Sequence, residues 1–223
     1  MSESPRGRFI TLEGIEGAGK SSVATAIDSA LRAHGIRVRM TREPGGTPLA
    51  ERLRSVALER GVETISATAE TLLMFAARAV HLDNLVRPAL AQGEWVICDR
   101  FTDATRAYQG GGRKVDERFI EALANEVQHG LEPDRTLLLD LPVEIGLARA
   151  MQRRHERGES TVDRFESEAR EFFERVRARY LALAAANTQR IRVIDASRSL
   201  ERVVADALAS LDGWIEVAPR AQR

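Results

Sequence analysis

Apolar positions along the chain fall into two periods. Short runs in which most residues are apolar or β-branched recur at 8–13 (RFITLE), 36–41 (IRVRMT), 95–98 (WVIC), 136–141 (TLLLDL) and 191–195 (IRVID). Elsewhere apolar residues return every three or four positions, as at Val23, Ile27, Ala30 and Leu31. The first pattern predicts strands and the second amphipathic helices. Helices are expected over about 20–34, 69–91 and 143–154, the second kinked at Pro88 because proline brings no N–H to the ladder, and a closing helix follows 195. Gly35 ends the first helix, Glu43-Pro44-Gly45-Gly46 forms a turn, and Thr47-Pro48 reads as an N-cap followed by proline at the first helical position. Five strands alternating with helices predict an α/β fold. Right-handed crossovers would build a parallel sheet covered on both faces, with ligands gathered beyond the carboxyl ends of its strands.

Composition narrows this picture. The chain has 223 residues, 43% hydrophobic and 30% charged, enough for one compact domain over 1–223. No run of 18 apolar residues occurs and the segment MSESPRGRF has no apolar core, so a soluble, cytoplasmic protein is expected. The lone Cys98 excludes an internal disulfide and reads as a small buried hydrophobe. Thirty-three basic residues balance 33 acidic ones, which favours small anionic substrates over nucleic acid or a membrane surface. Only Lys20 and Lys114 are lysines; every other basic residue is arginine.

One of those two lysines falls in Gly14-Ile15-Glu16-Gly17-Ala18-Gly19-Lys20-Ser21, between the first predicted strand and helix. Glycines at these positions let the backbone curl so that several N–H groups face one anion at a helix N-terminus, which is the P-loop arrangement. Lys20 would reach the β- and γ-phosphates of ATP, and Ser21, followed by Ser22, would offer a hydroxyl to Mg²⁺. Glu16 is out of place in such a cradle unless its side chain turns away from the phosphates.

Asp99 and Arg100 close the predicted strand at 95–98. A carboxylate at a strand end beside a P-loop suits Mg²⁺, directly or through water, and the adjacent guanidinium suits a second phosphate. Arginines at 149, 153, 154, 157, 164 and 170 cluster around a polar excursion, read here as a short lid at about 150–163. Most would be a solvated face. One or two, with Arg149 and Arg153 sharing a helix face, would reach the transferring phosphoryl group.

Five segments then acquire a joint meaning: LEGIEGAGKSS at 12–22, TREPGGTPLAERLR at 41–54, FAAR at 75–78, DRFTDATRAYQGGGR at 99–113 and VDRFE at 162–166. In order and spacing they resemble the bacterial thymidylate kinases. That resemblance implies transfer of the γ-phosphoryl of ATP to dTMP, giving dTDP and ADP with Mg²⁺. It also implies a homodimer and a P-loop NTPase-like three-layer sandwich with a five-stranded parallel sheet of order 2-3-1-4-5. By position it gives Arg78 and Gln109 the thymine edge, with Thr105 assisting, and sets Tyr108 against the deoxyribose. Arg54 and Arg100 take the acceptor phosphate, Glu43 and Pro44 shape that pocket, and Glu16 lies near the sugar. With no arginine in its P-loop, the chain resembles the type whose catalytic arginine is in the lid. The position aligned with the usual base-stacking aromatic is Met74, one residue before Phe75, and either of the two is a candidate to cover thymine.

A kinase of dUMP, CMP or AMP would share the P-loop and differ in the pocket around Phe75, Arg78 and Gln109. A nucleotide-dependent switch would need a guanine-reading Asn/Thr-Lys-x-Asp, and neither Lys20 nor Lys114 lies in one.

Overall fold

The computed structural model describes residues 6–59, 63–158 and 168–215. Five strands form one parallel sheet: β1 (Phe9–Glu13), β2 (Val38–Arg42), β3 (Trp95–Asp99), β4 (Arg135–Asp140) and β5 (Ile191–Asp195), in the order β2-β3-β1-β4-β5. The central strand β1 has Leu12 opposite Asp99 of β3 and Leu137 of β4. The order 2-3-1-4-5 is therefore the one the resemblance implies.

Because side chains alternate across a strand, each face of the sheet takes every second residue. Ile10, Leu12 and Ile97 join one core cluster with Val23, Ile27 and Leu31 of α1 (Lys20–Ala33). Phe9, Val96 and Cys98 join another with Leu82, Val86 and Leu90. Cys98 is buried and free, as a small hydrophobe should be.

Thr47 caps α2 (Pro48–Leu58) by accepting the N–H of Ala50, with Pro48 at the start, as the Thr-Pro pair predicts. The expected helix over 69–91 runs from 67 and is interrupted. α3 (Ala67–His81) passes into a π-helical turn at Leu82–Val86 before α4 (Arg87–Ala91). Arg87 N–H donates to the carbonyl of Leu82, five residues back. The disturbance thus lies in the turn preceding Pro88, where the ladder widens ahead of the missing N–H.

After β3, α5 (Thr102–Thr105) leads into a second π-helical stretch, Arg106–Gly112, followed by α6 (Glu117–Gln128). The remaining helices are α7 (Val143–Arg157), α8 (Arg170–Ala186), α9 (Leu200–Ala209) and α10 (Asp212–Ile215). Among the described residues no helix is long and apolar enough to cross a membrane. α7 covers the first half of the expected lid; residues 159–163 and the VDRFE segment lie outside the described residues.

α8 packs directly on the glycines of the 106–112 stretch. A Cβ on Gly112 would stand 2.4 Å from the ring of Phe172, and one on Gly111 would stand 2.7 Å from Cβ of Arg179. Those glycines exist because another helix occupies the space of their side chains.

Candidate active site

The P-loop fills the gap between the end of β1 and the start of α1. Gly14, Gly17 and Gly19 all have positive φ, at 133°, 77° and 88°. Added Cβ atoms would stand 2.4 Å from the carbonyl oxygen of Leu139 at Gly14 and 2.0 Å from that of Gly146 at Gly17. The loop is pressed against β4 and α7, and only glycine fits. Ile15 and Ala18 are buried, whereas Ser21 and Ser22 are exposed on the first turn of α1. Lys20 folds back, donating from Nζ to the carbonyls of Gly14 at 3.1 Å and Ile15 at 3.2 Å. Burial, with help from the Arg100 charge, lowers its pKa to about 8 against the pull of Asp99, Glu16 and Glu13. Phosphate oxygens would restore what burial removes.

Arg100 stands between this loop and a second cleft. Its backbone is left-handed, φ 72°, a conformation that costs a non-glycine residue about 1–2 kcal/mol. The side chain is held on every side. Nη1 donates to the Gly14 carbonyl at 2.9 Å and the Tyr180 hydroxyl at 3.2 Å; Nη2 donates to Glu16 at 2.9 Å and the Tyr108 hydroxyl at 3.0 Å. Burial disfavours its charge, but Tyr108, Glu16, Tyr180 and Asp99 together hold its pKa above the ordinary arginine value. Glu16 thus turns away from the phosphate cradle, toward Arg100 and Tyr108, which removes the electrostatic conflict in the loop.

Behind Arg100, the Glu13 carboxylate accepts the N–H of Phe101 and the hydroxyl of Tyr180, both at 2.7 Å. Burial, reinforced by nearby Asp103, pushes its pKa up to about 8 despite Arg100.

The second cleft is lined by Glu16, Glu43, Pro44, Arg54, Arg78, Arg100, Thr105, Tyr108 and Gln109. All nine are residues that the resemblance assigns to the acceptor nucleotide. Thr105, Tyr108 and Gln109 share one wall at i, i+3, i+4 spacing. Arg54 donates to the carbonyl of Pro44 at 3.0 Å, and the Glu43–Pro44 peptide is cis. Gln109 gives an amide N–H to buried Glu70 at 2.8 Å. Arg78 donates Nε to Glu43 at 2.7 Å and Nη2 to the Thr105 hydroxyl at 3.0 Å. Its Nη1 is buried and has no hydrogen-bond partner among the described residues. Thr105 therefore helps to orient the Arg78 guanidinium. Burial pushes the Glu43 carboxyl up, but Arg78 and His81 outweigh it and hold the pKa below the usual carboxylate value.

Phe75 is a correction. It does not line the cleft; Met74 does, together with Leu58, Phe101 and Ala104. Phe75 is buried against Ile120 and Ala124, with the Arg78 guanidinium 4.7 Å above its ring. A step of one residue turns a helix by about 100°, so Met74 and Phe75 face different surroundings.

Asp99 keeps one buried oxygen, Oδ1, with no hydrogen-bond partner among the described residues. It lies close enough to Lys20 to influence its charge. An orphaned carboxylate oxygen beside a phosphate loop fits a hard cation that completes its shell with water and phosphate. Arg149 is committed elsewhere: it donates to the carbonyls of Ala196 at 2.8 Å and Ser197 at 3.4 Å, bracing α7 on the turn after β5. Arg153 is exposed on α7.

Tyr180 and His81 carry the site from behind and have no motif to announce them, whereas Glu13, which joins them there, lies in the LEGIEGAGKSS segment. Phe101 adjoins Arg100 in the DRF segment, which is signal enough in hindsight.

Residues 12–207 match the sequence model of the thymidylate kinase family. The thymidylate kinase of Pseudomonas syringae pv. tomato is 56% identical over 206 residues, 92% of this chain and 93% of that one. That of Chromohalobacter salexigens is 57% identical, covering 92% of this chain and 95% of that one. The crystal structure of thymidylate kinase from Ehrlichia chaffeensis matches with a TM-score of 0.73 and 30% identity, over 93% of this chain and 99% of that one. On sequence and fold alike, the chain belongs to the thymidylate kinase family of ATP:dTMP phosphotransferases.

Proposed function

We propose that the two clefts divide the substrates between them, ATP on the P-loop and dTMP in the pocket behind Arg100. The observation that carries this reading is Arg100 itself, a single guanidinium bonded to the P-loop carbonyl of Gly14 and to two residues of the acceptor cleft, Glu16 and Tyr108. Arg100 and Arg54 hold the acceptor phosphate, and Arg78 and Gln109 face the base edge. Tyr108 packs on the sugar. Lys20 meets the β- and γ-phosphates. The nucleophile is an already ionised phosphate oxygen of dTMP, which attacks the γ-phosphorus as the bond to the β-bridging oxygen breaks. No general base is required; positioning and charge neutralisation carry the rate.

Asp99 and Ser21 would hold Mg²⁺, which supplies charge neutralisation on the transferring phosphate. Arg153, projecting from the lid at about 150–163 of one domain spanning 1–223, supplies the lid cation. Arg153→Ala then lowers kcat more than it raises either KM.

The cytoplasm is the proposed location. The assembly is proposed to be a homodimer, as the family resemblance implies. Leu49 and Val56, two turns apart on α2, and Leu72 on the adjoining α3 are exposed apolar side chains suited to such a contact. Sedimentation at micromolar concentration tests that assignment.

For the reaction, ADP release is measured with ATP, Mg²⁺ and each nucleoside monophosphate in turn. dTMP should be the preferred acceptor; turnover with CMP or AMP and none with dTMP rejects the proposal.

A further inference from the structure

His81 follows Arg78 by three residues on α3, its ring completely buried. Nδ1 lies 2.9 Å from Oε1 of Glu43, and Nε2 lies 2.7 Å from the hydroxyl of Thr41 at the end of β2. Ionised Glu43 can only accept, so Nδ1 carries a proton and donates to it, while Nε2 and the Thr41 hydroxyl share one hydrogen bond. The other Glu43 oxygen accepts Nε of Arg78. Hydroxyl, imidazole, carboxylate and guanidinium form one buried line.

A hydroxyl, an imidazole and a carboxylate in this order can generate a nucleophile. Here two features oppose that use. A Cβ on Gly46 would stand 2.4 Å from Thr41 Oγ1 and 2.7 Å from His81 Nε2, so the backbone of Gly46 covers the hydroxyl. The carboxylate is also committed to a buried ion pair with Arg78.

What the line does fix is Arg78. Held at Nε by Glu43, at Nη2 by Thr105 and between the rings of Phe75 and Phe101, Arg78 has one way to point. That way leaves Nη1 buried without a partner. Such an N–H can donate to a carbonyl oxygen on the ligand and penalises an amino group in its place.

We propose that His81 is a positioning residue for acceptor specificity. By locking the Glu43 carboxylate between Thr41 and Arg78, it aims Nη1 at a carbonyl-bearing pyrimidine edge and against an amino-bearing one. This rests on Arg78 being the base reader, as proposed above.

The test is initial-rate kinetics on His81→Leu, with dTMP and dCMP as acceptors. His81→Leu should raise KM for dTMP about tenfold and narrow the dTMP-to-dCMP preference by a similar factor. KM for ATP and kcat should stay within about twofold. His81→Asn, whose amide N–H can take the place of Nδ1, should recover most of the loss. Thr41→Val removes only the far end of the line and should shift KM for dTMP in the same direction by about two- to threefold; it keeps the test open if His81→Leu does not fold. Arg78→Ala separates the two readings. If it leaves KM for dTMP unchanged, the base-reading role of Arg78 fails. If it raises KM while folded His81→Leu and Thr41→Val keep wild-type KM and selectivity, the positioning role is overturned.

Discussion

Nη2 of Arg100 lies 2.9 Å from Oε1 of Glu16, joining a residue at the end of β3 to the middle of the P-loop. The pair is less than one-fifth exposed on either side. Glu16 also accepts the hydroxyl of Tyr108 at 2.8 Å. One carboxylate thereby orients both the Arg100 guanidinium and the Tyr108 ring. Glu16→Ala should raise KM for dTMP at least about tenfold, the order expected when a charge-assisted contact is lost. KM for ATP should move far less; an equal rise in both would refute the division of labour.

Lys20 gives a pH dependence. With its pKa lowered to about 8, the free enzyme loses the ammonium above that pH, and bound phosphate should raise the pKa again. The affinity for ATP should therefore be maximal below about pH 8 and fall by up to tenfold per unit above it, while dTMP binding changes less. Calorimetric titrations between about pH 7 and pH 9.5 check this, and a flat ATP affinity would count against it. Lys20→Ala should abolish transfer and leave dTMP affinity largely intact.

Glu13 makes the opposite kind of statement, about stability. Its pKa of about 8 in the folded chain exceeds the ordinary 4.5, so the folded state binds more protons across that interval. Its favourable contribution is present below about pH 4.5 and is lost as pH rises through about 8. Glu13→Gln retains an acceptor for Phe101 N–H but cannot ionise. Denaturant unfolding should find the variant gaining about 2–4 kcal/mol relative to wild type between pH 5 and pH 9.

Met74 and Phe75 separate binding from stability. Phe75→Ala removes a buried ring beneath Arg78 and should cost about 3–5 kcal/mol in unfolding free energy. Met74→Ala takes away a cleft wall and should raise KM for dTMP about tenfold. If Phe75→Ala instead loses dTMP affinity at full stability, the placement of these two side chains is wrong.

Gly112→Ala places a methyl group 2.4 Å from the ring of Phe172. Overpacking of this kind should destabilise by about 1–3 kcal/mol and, because Gly112 follows Tyr108 and Gln109 in the same stretch, should also weaken dTMP binding. A thermal scan and dTMP kinetics on one preparation measure both.

The P-loop, Thr47-Pro48 and the five strands are legible along the chain because their requirements are local. Positive φ asks for glycine, an N-cap asks for a hydroxyl, and a doubly covered strand asks for consecutive apolar residues. Even α6 was within reach, since Ile120, Leu123, Ala124 and Val127 follow the helical period. The acceptor pocket was legible only through resemblance, because its residues come from segments 16 to 109 and nothing local says that they meet.

Other features needed the folded chain. Tyr180 reaches Arg100 across 80 positions and Glu13 across 167, a juxtaposition made by docking α8 on the sheet and not by any spacing. Whether Met74 or Phe75 faces the cleft depends on the rotation of α3, which packing against α2 and α6 sets. Arg149 looked like a free lid cation, yet the turn after β5 supplies two carbonyls within its reach. Chemistry encoded in one loop can be read from that loop; chemistry that depends on which groups share a buried space waits for the tertiary structure, because hydrogen bonds and burial are settled only when distant elements meet.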